Sequence, residues 1–305
     1  MTEVNLLDFP MISVIVTGIV LGTVARLITL KIDYRQTPTY PSAYFNNIVL
    51  GFIAATLGAV AIPAIMSRDF VAVTFLTLAV QQFRDVRNSE RESLEKLEKT
   101  EFARRGEAYI DGISKTFESR YYLSLVTALV TTFTMVVFPI QNMVIRILLG
   151  LAVGSFAMYF VYRFTKGKTV GDLCSIKEGR IEVKGSDLYV DGIFVTNYLG
   201  TERSQNLFKN EGLAVVLTPK DPYSRLTLEN YGQRQAILFE SVRTLGVKRY
   251  NFTKKDFQDG RIVIVLVPII HDINRLIKAA GSTPILENSR KDGEAMQMEG
   301  GVKDE

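Results

Sequence analysis

Along residues 11–164, long apolar segments alternate with short polar connections and one densely charged insert; beyond residue 164, polar and apolar positions mix as in a water-soluble domain. Residues 11–30 supply about the 20 apolar positions that a bilayer-crossing helix needs. Their one charge, Arg26, sits a turn from the end, where it is expected to snorkel to the headgroups. Residues 48–66, 122–140 and 143–162 make three further spans. Pro63 near the end of the second is tolerated in a membrane helix. Tyr121, Tyr122, Tyr159 and Tyr162 fit interfacial aromatic belts. Residues 70–83 are short for a span and carry Gln81 and Gln82. They can cross if the helix continues into the charged stretch that follows, which gives five spans; otherwise there are four.

Charge orients the spans through the positive-inside rule. Before residue 11 the chain has Glu3 and Asp8 but no Lys or Arg, so this end is expected outside. Loop 31–47 carries Lys31 and Arg35, the 84–120 insert carries nine Lys and Arg, and Arg163, Lys166 and Lys168 follow the last span. The pattern predicts a polytopic α-helical membrane domain of about five spans, N-terminus out and C-terminus in, followed by a small cytoplasmic α/β domain. Two spans separate the insert from the C-terminal domain, so these share a side whether or not residues 70–83 cross. The expected divisions are 1–168 for the membrane part with a helical stalk at 84–120, 169–287 for the α/β domain, and 288–305 for a disordered polar tail. No cleavable signal peptide is expected, since the first span lacks a basic leader and is too long.

Within the insert, Glu92–Lys96, Glu95–Lys99 and Glu101–Arg105 are acid-first pairs at i,i+4, and residues 84–105 are expected to form a helix about 33 Å long. Gly106 ends it. Ile110, Ile113, Phe117 and Tyr121 then recur at spacings that draw one face of an amphipathic helix, expected at the inner membrane surface. Asp111 and Gly112 lie inside that helix although neither favours it.

The segment Tyr109-Ile110-Asp111-Gly112-Ile113-Ser114, within AYIDGISKTFESRYY, resembles the signature of the YIEGIA family of bacterial membrane proteins. The family's Glu is Asp111 and its last Ala is Ser114. The size and the order of spans followed by a soluble domain are also similar, so the resemblance covers most of the chain. It implies a setting in endospore-forming Firmicutes and in sporulation, rather than an activity. The Glu-to-Asp change keeps a carboxylate but shortens its reach.

In residues 169–290, the alternation at 180–184, the Asp191-Gly192 turn signal inside 188–195, and the apolar runs 213–217, 248–252 and 262–268 predict strands. Residues 226–245 are expected as one helix with Tyr231, Leu238, Val242 and Leu245 on a face and Gly246 as its stop. Residues 272–280 are expected as a closing helix.

Composition narrows the chemistry. The chain has one His and one Cys, a formal net charge of +4 and a pI near 9.0. No Cys/His zinc site can be built, and neither a phosphate-binding glycine loop nor a dinucleotide fingerprint is present. No cofactor and no metal are expected. The positive charge follows from the inner loops, and no base-reading signature accompanies it, so nucleic-acid binding is not expected. His271 reads as a helix-start residue and Cys174 lacks an activating neighbour. Arg26 and Arg146 near helix ends leave mid-depth almost free of ionisable groups, which argues against transport.

Two functional readings follow. In the first, the protein is a regulator or scaffold in sporulation that holds a cytoplasmic protein partner through the stalk, the signature helix and the α/β domain. The second rests on the near-repeat of Tyr109–Ile113 by Tyr189-Val190-Asp191-Gly192-Ile193: Asp111 and Asp191 would form an aspartic-protease acid pair. Candidate site residues are Tyr109, Asp111, Gly112 and Glu118, with Arg35 and Asp191 behind them. The segment around Tyr34, Arg35, Pro38, Tyr40 and Pro41 is expected to pack on residues 107–122 or on the soluble domain. Membrane lipid is an expected partner, and the small-residue face of Gly18, Gly22 and Ala25 suits helix packing or a homo-oligomer.

Overall fold

The computed structural model describes residues 9–33, 41–165 and 167–290. The chain forms two compact units: Met1–Ser93 with Ile113–Lys166, and Leu94–Gly112 with Gly167–Glu305.

The first unit is helical. Its helices are α1 (Phe9–Asp33), α2 (Pro41–Met66), α3 (Phe70–Glu98), α4 (Glu107–Val137) and α5 (Met143–Thr165), with α3 and α4 each running on into the second unit. Among the described residues, four helices are long and apolar enough to cross a membrane: α1, α2, α4 and α5. α3 is outside that set. Its first half nevertheless exposes Phe70, Val71, Phe75 and Leu78.

Small residues let these helices meet backbone to backbone. A Cβ on Gly22 would lie 2.8 Å from both the Ala55 Cβ and the Ser124 carbonyl oxygen, and one on Gly58 would run into the Leu125 carbonyl. The Ser124 hydroxyl donates to the carbonyls of Gly22 and Gly51, at 2.7 and 2.9 Å. The Gly18–Gly22 face packs against α2 and α4 of the same chain, the helix-packing alternative of the expectation. On α5, Gly150 fits against Met135 and Gly154 against Leu21 and Thr131.

α3 joins through Phe83, which stacks on Tyr121 at 5.8 Å and meets Tyr122 edge-on at 6.0 Å. The expected helix through residue 105 stops at Glu98, where Thr100 and Glu101 turn back onto the carbonyls of Leu97 and Glu98. Surface i,i+4 pairs contribute only about 0.2–0.5 kcal/mol each, too little to hold a helix against tertiary contacts. Arg105 still pairs with Glu101 at 3.0 Å, off the helix.

The second unit is an α/β sandwich in three layers. After the short α6 (Val170–Leu173) come β1 (Cys174–Glu178), β2 (Ile181–Lys184), β3 (Asp187–Val190), β4 (Ile193–Thr196), α7 (Glu202–Glu211), β5 (Leu213–Pro219), α8 (Pro222–Glu229), α9 (Tyr231–Leu245), β6 (Asn251–Lys255), β7 (Ile262–Leu266) and α10 (Ile273–Gly281). The central sheet has the order β1-β5-β7-β6 and the smaller one β2-β3-β4, all antiparallel. Odd-numbered β5 residues Leu213, Val215 and Leu217 pack towards the helices with Ile237 and Leu276. Even-numbered Ala214 and Val216 pack with Leu188, Val190 and Phe208 on the other face. Burial on both faces is why β5 and β7 read as unbroken apolar runs.

The expected 226–245 helix is two helices. Asn230 closes α8 and caps α9 by accepting from the Gln233 N–H at 3.2 Å, so Tyr231 sits at the break and is exposed rather than in the core. The expected strand at 248–252 is shifted to β6. The expected polar tail begins inside the fold: Glu287–Ser289 form a 3-10 turn, and the buried Ser289 hydroxyl donates to Gln233 Oε1 at 2.9 Å. Residues 291–305 lie outside the described residues.

Candidate functional site

The signature occupies the first turns of α4 and starts as an anchor. Gly106, at φ +86°, reverses the chain, and its N–H donates to Glu98 Oε1 at 2.9 Å. Tyr109 is buried against α9: its hydroxyl donates to Glu240 Oε1 at 2.5 Å, and its ring meets Phe239 edge-on at 6.1 Å. Arg105 lies over the same Phe239 ring, 4.7 Å from its centroid. The Gln235 amide donates to the Arg104 carbonyl at 2.7 Å, and a Cβ on Gly232 would come within 3.1 Å of Ala108. Segment Leu94–Gly112, the link between α3 and α4, is therefore clamped to one helix of the α/β unit by side chains, backbone and close approach together.

The amphipathic face read from the sequence is present. Ile110, Ile113, Phe117 and Tyr121 are all buried, and α4 continues unbroken through Asp111 and Gly112. Both of these are half-buried. Glu118 ties α4 to α3, with Arg87 at 3.5 Å and an accepted hydrogen bond from the Tyr122 hydroxyl at 3.3 Å. Asp191 lies in the β3–β4 turn at φ +46°, followed by Gly192 at φ +78°. Its carboxylate accepts from the Arg180 N–H at 2.9 Å, fastening the three-stranded sheet. The likeness of the two Tyr-x-Asp-Gly-Ile segments thus stops at sequence, since one is helix and the other a strand–turn–strand. Arg35 and its neighbours at 34–40 lie outside the described residues.

A second cluster went unseen in the sequence. Arg26 does not snorkel: it is fully buried inside the helical unit. Its Nη2 donates to Asn47 Oδ1 at 3.0 Å and its Nη1 to Thr29 Oγ1 at 3.4 Å, and its guanidinium carbon lies 4.9 Å from the Tyr121 ring centroid. The Tyr121 hydroxyl donates to the same Asn47 oxygen at 2.9 Å, so Tyr121 belongs to the interior rather than to an interfacial belt. Gly51 makes the room, because a Cβ there would overlap the Arg26 side chain. On α3, burial pushes the Glu90 carboxyl above its usual range, with the Arg26 charge acting the other way. The signal was on α2: Asn47 and Gly51 at i,i+4 mark a polar, open face towards α1.

The pattern of the YIEGIA protein family matches residues 14–296. The chain belongs to the YIEGIA family. It is 40% identical over 282 residues, 90% of this chain and 92% of the relative, to a Bacillus subtilis (strain 168) protein described as "Uncharacterized protein YphB". No solved structure matches it. The relative's source is an endospore-forming Firmicute.

In this YIEGIA-family chain the name-giving hexapeptide reads with Asp111 and Ser114 at its third and sixth places, and Ser114 is completely buried. Burial pushes the Cys174 thiol up to about 12, and the thiol lies 3.2 Å from the Val170 carbonyl. His271 precedes Asp272, whose carboxylate caps α10 by accepting from the Arg275 N–H at 3.1 Å. Among the described residues, no group of three His, Cys, Asp or Glu is placed to hold a metal ion.

Proposed function

We propose that this YIEGIA-family protein is a multi-pass membrane protein that acts in sporulation as a regulator, its α/β domain cytoplasmic and engaged with a protein partner. The observation that carries the reading is the clamp on Leu94–Gly112. The segment between α3 and α4 is packed in the α/β unit through Tyr109–Glu240, Arg105–Phe239 and Gln235–Arg104. A partner that shifts α9 would move the start of α4, and a two-state element biased by binding is what a regulator needs. The finer membrane arrangement belongs to the same reading: five crossings, with α3 crossing over residues 70–83, and the N-terminus outside. Its support is the apolar exposure of Phe70, Val71, Phe75 and Leu78 together with the Lys and Arg of the inner loops.

The test is quantitative proteomics of sporulating cells carrying wild type, Asp111→Asn or Asp191→Asn at matched protein levels. Loss of co-purifying proteins with Asp111→Asn alone is the expected result. If both variants instead make the same few proteins accumulate uncleaved, the two carboxylates are catalytic and the regulatory reading fails.

A further inference from the structure

At one end of the helical unit lies a cleft of about 190 Å³, lined by Thr29, Thr116, Ser119, Arg120, Leu123, Tyr162 and Thr165. Among the described residues its lining holds one cation and five hydroxyls and no carboxylate. At roughly 30 Å³ per water in the liquid, it has room for a phosphate group with several waters. Thr29, Ser119 and Thr165 hydroxyls already donate to carbonyls of their own helices, at 2.8, 2.8 and 3.0 Å. Arg120 brings a fork of five N–H groups that serves several partners at once, and Tyr162 brings a phenol. Guanidinium and phosphate match in geometry as well as charge.

The cleft's position says which phosphate. Thr29 stands at the end of the apolar stretch Pro10–Leu30, and Tyr162 and Thr165 close the apolar helix Met143–Thr165. Both ends meet at headgroup depth if these helices lie in a bilayer.

We propose that this cleft binds the phosphate headgroup of an anionic phospholipid, held by Arg120 and Tyr162. The inference needs only that the apolar helices cross a membrane, so it stands or falls apart from the regulatory reading.

The test uses the full chain in nanodiscs of phosphatidylcholine with or without phosphatidylglycerol, read by native mass spectrometry of retained lipid and by thermal unfolding. Phosphatidylglycerol is expected to be retained by wild type and to raise its unfolding temperature. Arg120→Gln should weaken retention about tenfold or more, and Ser119→Leu, which fills the cleft without touching a charge, should do the same. Arg163→Gln, an exposed cation outside the lining, should retain the lipid as wild type does. If Arg163→Gln loses as much as Arg120→Gln, the attraction is diffuse surface charge and the proposal is overturned. If soluble glycerol phosphate stabilises the protein in phosphatidylcholine as well as phosphatidylglycerol does, the site takes a soluble phosphate ester and the lipid assignment is overturned. If Arg120→Gln is misfolded, Ser119→Leu decides alone: undiminished retention there sinks the site.

Discussion

A single amide oxygen organises the interior of the helical unit. Asn47 Oδ1 accepts from both Arg26 and Tyr121, while the Tyr121 ring meets both the guanidinium and Phe83. A buried donor that loses its acceptor forfeits what it had with water, and here two donors share one acceptor. Asn47→Ala should therefore cost about 2 kcal/mol or more, seen as a lower unfolding temperature of the full chain in detergent. Asn47→Asp keeps the acceptor and should be milder. Equal stability of Asn47→Ala and wild type would make the cluster incidental. None of this was legible from Arg26 or Tyr121 alone. Their positions along the chain give depth in a bilayer but not the direction in which the side chain points, so both read as interfacial. The direction was encoded on the neighbouring helix, where Gly51 leaves the space that Arg26 fills.

Elements were legible where one local rule dominates. The Asp191-Gly192 turn sits where two positive φ values are required, and the 3.6-residue apolar stripe of α4 is the face that is buried. They were misread where a side chain from elsewhere decides the boundary. Glu98 caps the turn at Gly106, and Asn230 splits what looks like one helix into α8 and α9. The signature tyrosine shows the same long-range control, since its partner Glu240 is 131 positions away. Tyr109→Phe removes the donated hydrogen bond and leaves the ring packing. Glu240 keeps its pair with Arg243 at 2.7 Å, so the cost should be modest, about 1–2 kcal/mol. It should appear as faster amide hydrogen exchange confined to residues 94–112 and α9. Unchanged exchange there would mean that packing alone sets the start of α4.

At the scale of the whole molecule, the two readings of α3 make opposite predictions for one end of the chain and the same prediction for the other. Residues 70–83 are too short for the roughly 20 residues of an upright span, yet their apolar side chains are exposed, and Gln81, Gln82 and Arg84 can reach a headgroup layer by snorkelling. With α3 crossing, five spans place the N-terminus outside and loop 31–47 inside. Without it, four spans place the N-terminus inside and put Lys31 and Arg35 outside, against the positive-inside bias. Single cysteines at Asn5, Gln36, Lys99 and Gln141, introduced into a Cys174→Ala background, separate the cases when whole cells are treated with a membrane-impermeant maleimide. Gln141→Cys should react and Lys99→Cys should not in either arrangement, which makes them internal controls. Five crossings require reaction at Asn5→Cys and protection at Gln36→Cys. Reaction at Gln36→Cys with protection at Asn5→Cys would reduce α3 to a helix lying along the inner surface and leave four crossings, with the α/β unit still inside.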